Sequence, residues 1–141
     1  MRNALFVLGF FALTKICYSY PGSPPMGYAG DPPNFNSCVN CHDSYPLNSG
    51  DGSMEISGLP VAGYESGATY PLTITLTDSG QSRWGFELTA IHPSGNHYNQ
   101  AGEILVTDPT HTDLGIGTGT DPDYLRQTST GSYNGTPGPI S

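Results

Sequence analysis

From Thr69 to Thr77 the side chains alternate with period two. Tyr70, Leu72, Ile74 and Leu76 fall on one face, and Thr69, Thr73, Thr75 and Thr77 on the other. Successive Cβ atoms of a pleated chain point to opposite sides, so this is the pattern of a half-buried β-strand. Apart from an apolar run at the N-terminus, no stretch holds a helical period, and 13 prolines and 19 glycines cut the chain into short pieces. The fold class expected is all-β: an immunoglobulin-like antiparallel β-sandwich with one short helical turn near its start.

Other segments fit that reading less cleanly. Ser53–Ser57 alternates, with Met54 and Ile56 on one face. Trp84, Phe86, Leu88 and Ala90 make a third apolar face, but Glu87, Thr89 and Ile91 opposite them are mixed. Glu103–Thr107 is read as a fourth strand, with either Ile104 and Val106 or Leu105 inward. Tyr124–Thr128 is a weak fifth, and the Gly/Thr-rich Leu114–Asp121 is read as loop. Pro71 cannot donate a ladder bond, which suits an edge strand or a bulge. Five strands fall short of the ~7 of a closed sandwich. A sheet edge left open is a template for strand addition, so assembly with other chains is expected.

Cys38-Val39-Asn40-Cys41-His42 carries the chemistry. Two thiols three positions apart lie on one side of a helical turn, where each can add to a porphyrin vinyl group, and the next residue offers an imidazole to the iron. The expected cofactor is one covalent haem c, tethered by Cys38 and Cys41 with His42 as proximal ligand. Two plainer accounts stay open. The cysteines can form a local disulfide in an oxidising compartment, or a zinc site, which needs further ligands that the usual second Cys or His pair would supply.

The N-terminus reads as an address. Met1-Arg2-Asn3 precedes the apolar run Ala4–Leu13, too short for a permanent membrane anchor, and small residues at Cys17 and Ser19 suit cleavage after Ser19. A lipoprotein reading with Cys17 acylated is the rival. Cleavage leaves Cys38 and Cys41 as the only thiols and predicts a protein that is secreted, periplasmic or on the cell surface, with no transmembrane segment. The organisation expected is signal peptide 1–19, a Pro/Gly-rich leader 20–37, a sandwich domain 38–130 and an irregular tail 131–141. The leader holds Pro21, Pro24, Pro25, Pro32 and Pro33, and reads as an extended, solvated segment that delivers the pentapeptide.

Charge narrows the partners. The formal net charge is −8, more negative still once Arg2 and Lys15 leave with the signal, and only Arg83 and Arg126 then remain positive. Such a surface repels phosphate backbones, which excludes nucleic acid, and would steer in a basic redox partner. Plain solubility accounts for it equally well. The loop Asp43–Gly52 is acidic without the spaced oxygen ligands of a calcium hand.

On these residues the chain resembles a family of secreted bacterial Reeler-like sandwich domains that carry a haem-type pentapeptide near the N-terminus. The resemblance rests on the pentapeptide, Ile56-Ser57-Gly58-Leu59-Pro60, Tyr64–Thr73, Trp84–Ala90 and Tyr124–Thr128, and covers roughly Pro24 to Thr130. It implies the sandwich fold and export more than a mechanism. Related chains continue with a Trp-containing strand and an aromatic closing strand, whereas this sequence stops at Ser141. They often have histidine where Gln127 stands, so no distal ligand carries over to that position.

The sixth iron position has several candidates. His97, His111 and Met54 rank together, ahead of His92 and Met26, and an unfilled position is the remaining option. The plainer accounts are core packing for Met54 beside Ile56, and solvent-exposed loops for His97 and His111. Methionine would raise the reduction potential and a second imidazole would leave it lower, while a free position would bind small molecules. No Ser/His/Asp set, phosphate-cradling loop or close carboxylate pair suggests hydrolysis or phosphoryl transfer. The expected function is therefore electron transfer by an exported monohaem c-type cytochrome, with no enzyme activity required. The alternatives are a surface binding or adhesion module with the pentapeptide as a disulfide or metal clip, and an open-site haem enzyme or gas sensor.

Overall fold

The computed structural model describes residues 20, 22–92 and 100–141. It is all-β, with five strands in two antiparallel sheets and two short 3-10 turns. The first sheet pairs β1 (Ser53–Ser57) with β2 (Thr73–Thr77). The second has β5 (Tyr124–Gln127) between β3 (Glu87–Leu88) and β4 (Thr112–Gly115). Among the described residues no helix is long and apolar enough to cross a membrane. The expected signal peptide lies outside the described residues.

The β1/β2 pair follows its sequence pattern over Thr73–Thr77, whereas Thr69–Leu72, expected in the same strand, lies outside it. Met54 stands opposite Leu76 and Ile56 opposite Ile74, so the apolar side chains of both strands share a face and the threonines take the other. Leu76 is buried, whereas Leu72 and Met54 remain exposed. Pro71 lies before β2 rather than inside it, so the ladder loses no donor. At Gly58, φ is +94° and a Cβ would run into the Pro71 carbonyl oxygen, so the turn out of β1 requires glycine.

Three expectations are corrected. Glu103–Thr107 is not a strand: its apolar run Ile104-Leu105-Val106 enters no ladder, and Leu105 is exposed. The fourth strand is instead Thr112–Gly115, which overlaps the expected loop Leu114–Asp121 only at Leu114 and Gly115, because pairing with β5 recruits its backbone regardless of its low apolar content. The Trp84–Ala90 face shrinks to the two residues Glu87–Leu88, since the loop around Trp84 bonds to the tail.

That tail is irregular in secondary structure, yet it closes the core. Trp84 donates its amide to the Ser132 carbonyl and its indole Nε1 to the Thr136 carbonyl, each at 2.9 Å. Gly138 lies against the indole where a Cβ would not fit. Ile140 exchanges both backbone hydrogen bonds with Leu76, at 2.9 and 3.0 Å, on the side of β2 away from β1. Trp84, Leu76 and Tyr124 form the buried apolar set, together with the buried polar residues Gln127 and Ser132.

The leader is also not the solvated segment expected. Alternate residues of β5, Tyr124 and Arg126, point to one face of the three-stranded sheet, along with their cross-strand neighbours Glu87 and Asp113. That face fastens residues 23–31. Ser23 donates its amide to the Gln127 carbonyl at 2.8 Å and its hydroxyl to Asp113 at 2.9 Å. Arg126 Nη1 reaches the Pro24 carbonyl at 2.8 Å and Nη2 reaches Asp113 at 2.6 Å. Met26 packs over Gly115, sharing with the Arg126 guanidinium a space that a Cβ would fill.

Candidate functional site

The leader continues into the pentapeptide through a closed loop in which the Gly30 amide donates to the Asn36 carbonyl and the Phe35 amide to the Asp31 carbonyl. Ser37 is extended, and a 3-10 turn then spans Cys38–Asn40. Asn40 starts it: its Oδ1 accepts the Ser37 amide at 2.9 Å while its own amide donates to the Ser37 carbonyl at 2.9 Å. This is half of a capping box, satisfying donors that the turn leaves free. The Cys38 carbonyl then takes both the Cys41 amide at 3.2 Å and the His42 amide at 2.8 Å. Residues three apart in a 3-10 turn eclipse one another, so Cys38 and Cys41 share a side. Both thiols are unbridged and exposed, and His42 is exposed beside them.

Protein nonetheless crowds one side of this turn. Lost hydration pushes the Cys38 thiol above its ordinary value, against an opposing backbone hydrogen bond, and the charges of Glu87 and Cys41 add to the rise. A thiol held protonated is a slower nucleophile and resists adventitious oxidation. Glu87 accepts the amides of Gly27 and Tyr28, each at 2.9 Å, one on each carboxylate oxygen. Burial raises its carboxyl above the usual range, and those two amides with the Arg126 charge pull the other way. Tyr124 donates to Asp31 at 2.9 Å, and its phenol is pushed up by burial and by that carboxylate.

A shallow depression of about 290 Å³ opens here, walled by leader residues Gly30–Pro32, by Met54 and by Glu87, Leu88 and Ile91. A larger one, about 510 Å³, lies at the opposite edge of the three-stranded sheet, beside Ser23, Val106 and β4. The smaller has the closer connection to the pentapeptide along the chain, since Gly30–Pro32 in its wall lead into Cys38.

The structure separates the distal candidates. Met54 is 56% exposed and lines the depression, so it is not the core residue that its strand pattern suggested. His111 precedes β4, at the far edge of the sheet from β3. Its Nδ1 meets Asp108 at 2.6 Å and its ring stacks on Tyr133 with centroids 4.9 Å apart. Met26 is packed on Gly115. His92 is exposed and follows Ile91, whose own side chain faces the depression. His97 lies outside the described residues. Among the described residues no three of His, Cys, Asp and Glu gather as a metal site.

Sequence reading missed Asn40 and the clamp made by Glu87, Asp113, Tyr124 and Arg126. The Ser37-x-x-Asn40 spacing was a readable capping signal. The clamp had none, because its partners lie 59 to 102 residues away from the leader residues they hold. No protein-family model matches the chain, no curated protein is significantly similar to it, and no solved structure is.

Proposed function

We propose that the chain is an exported monohaem c-type cytochrome domain, built on an immunoglobulin-like sandwich of the Reeler type, that carries electrons at or outside the cell surface. The observation that carries this reading is the turn at Cys38–His42: two unbridged, exposed thiols on one side, with the imidazole-bearing residue drawn onto the Cys38 carbonyl by its own amide. That donor set fits a haem held by two thioethers and one axial nitrogen. When bound, the haem supplies a one-electron iron couple. The chain's own residues do the rest: Cys38 and Cys41 tether, His42 ligates, Asn40 shapes the turn, and Glu87 with Arg126 holds the leader that presents it. The acidic surface favours a basic redox partner. The outer edge of β1, which among the described residues pairs on one side only, is where strand addition by another chain would occur.

The test is a haem stain on denatured protein made in a maturation-competent host. Wild type is expected to stain, Cys38→Ser/Cys41→Ser to lose the stain, and His42→Ala to keep the tether with an altered reduced spectrum. A wild-type chain that never stains overturns the reading and leaves a binding module. Concentration-dependent sedimentation that is abolished by a proline at Met54, whose amide points away from β2, checks the strand-addition part, and a strictly monomeric wild type refutes it.

A further inference from the structure

The ladder between β1 and β2 shows which main-chain groups of β1 face outward. Leu76 commits its amide and carbonyl to Ile140, at 2.9 and 3.0 Å, on the side away from β1. Met54 stands opposite Leu76, so these two exchange no hydrogen bonds, and the same holds two residues on for Ile56 and Ile74. The amides and carbonyls of Met54 and Ile56 therefore point to the outer edge, where among the described residues no main-chain group meets them. The side chains there are also poorly covered: Met54 is 56% exposed, against 8% for Leu76 across the ladder. Natural edges are commonly guarded by proline, lysine or a bulge. Ser53-Met54-Glu55-Ile56-Ser57 has no such guard, and its lone charge is Glu55.

This edge fits an antiparallel copy of itself in one register. Outward residues must meet outward residues, so the pairing is centred on a single position. A centre at Glu55 sets Glu55 against Glu55, and a centre at Ser53 sets it against Asp51; both oppose like charges. A centre at Ile56 or Ser57 calls on Gly58, where φ is +94° and the chain has left the strand. A centre at Met54 has neither fault. Gly52 then meets Ile56 at each end, and Glu55 lies beside the Ser53 hydroxyl of the copy, which can donate to its carboxylate. The two exposed methionines cover each other.

We infer that the outer edge of β1 pairs with β1 of a second copy, antiparallel and centred on Met54. The product is a two-fold dimer with one continuous sheet, β2-β1-β1-β2, whose apolar faces lie on the same side. The inference names the occupant of the edge proposed above for strand addition and rests on that reading, not on haem attachment. The chain is acidic, with a formal net charge of −8, so two copies repel at long range while their edges attract at contact. Added salt should therefore tighten the dimer, whereas it would loosen a complex with a basic partner.

Sedimentation equilibrium of the exported chain tests this on wild type across a salt series, and on Ser53→Lys and Thr73→Lys at low salt. The two variants change the net charge equally. In Ser53→Lys the new ammonium faces Glu55 of the copy, twice over by symmetry, while Thr73 is exposed on β2, away from the edge. Wild type is expected to form a species of twice the chain mass, favoured by salt. The dissociation constant of Ser53→Lys should lie about threefold to tenfold below that of Thr73→Lys. Association that salt weakens, that both variants alter alike, or that grows without limit into polymers overturns the two-fold pairing and leaves strand addition standing. A wild type that stays monomeric under every condition overturns both.

Discussion

Glu87 and Arg126 face each other across β3 and β5, and between them they hold the leader: the carboxylate takes the Gly27 and Tyr28 amides while the guanidinium takes the Pro24 carbonyl. The segment that presents the candidate haem turn is therefore fixed by two side chains of opposite charge acting on its main chain.

Removing the acceptor should release that segment. Glu87→Ala strands two amides and is expected to cost about 1–2 kcal/mol, at the lower end for hydrogen bonds to a charged group because the site is only half-buried. Urea unfolding measures the loss, and limited chymotrypsin digestion should cut within residues 28–35 faster than in wild type. Unchanged stability together with an unchanged cleavage pattern would show that the clamp contributes nothing.

The Glu87 carboxyl has a signed pH effect. Its folded value lies above its ordinary one because of burial, so the folded state binds more protons than the unfolded state. Its contribution is fully present below the unfolded value and is lost as pH rises through the folded value. Relative to the non-titrating Glu87→Gln, wild type should lose stability as pH climbs from the ordinary glutamate range. A difference that grows in the other direction refutes the assignment.

Asp108 behaves oppositely. The side-chain hydrogen bond from His111 is the largest cause holding its carboxyl below the ordinary value, so any stabilisation it gives is lost as pH falls through the folded value. In an NMR titration the Asp108 carboxyl should shift upward in His111→Phe. No movement would mean that the 2.6 Å contact does not persist in solution.

The tail can be tested with the single tryptophan. Deleting residues 134–141 removes the Thr136 carbonyl from the indole and the Ile140 partner from Leu76. Trp84 emission should shift to the red, and stability should fall by about 3–5 kcal/mol, comparable to deleting a buried aromatic. Gly131→Ala should also destabilise, because its Cβ would collide with the His111 carbonyl oxygen. An unshifted emission maximum in the truncated chain would show that the tail does not cover the indole.

Much of the strand content was legible because period two is a local property. β1 matches its expected bounds at Ser53–Ser57, and β5 falls within Tyr124–Thr128. What escaped was non-local. Leu114 is the lone large apolar residue of β4, so that strand is specified by its partner β5 rather than by its own pattern. Ile104, Leu105 and Val106 make an apolar run of either register, yet the segment joins no ladder, with Ile104 and Val106 half-buried and Leu105 exposed. The all-β class is what the structure bears out; the sandwich arrangement remains part of the proposal. At the candidate site the pentapeptide was read directly, and its turn is where expected. The clamp of polar residues on a proline-rich leader leaves no trace in composition, because main-chain amides have no letter in the sequence.

Intact-mass measurement of protein exported from a host with the haem-attachment machinery goes to the centre of the account. The expected result is the polypeptide without residues 1–19 plus one haem, an addition that disappears in Cys38→Ser/Cys41→Ser. A bare polypeptide mass from the same host, with both thiols alkylatable, contradicts it.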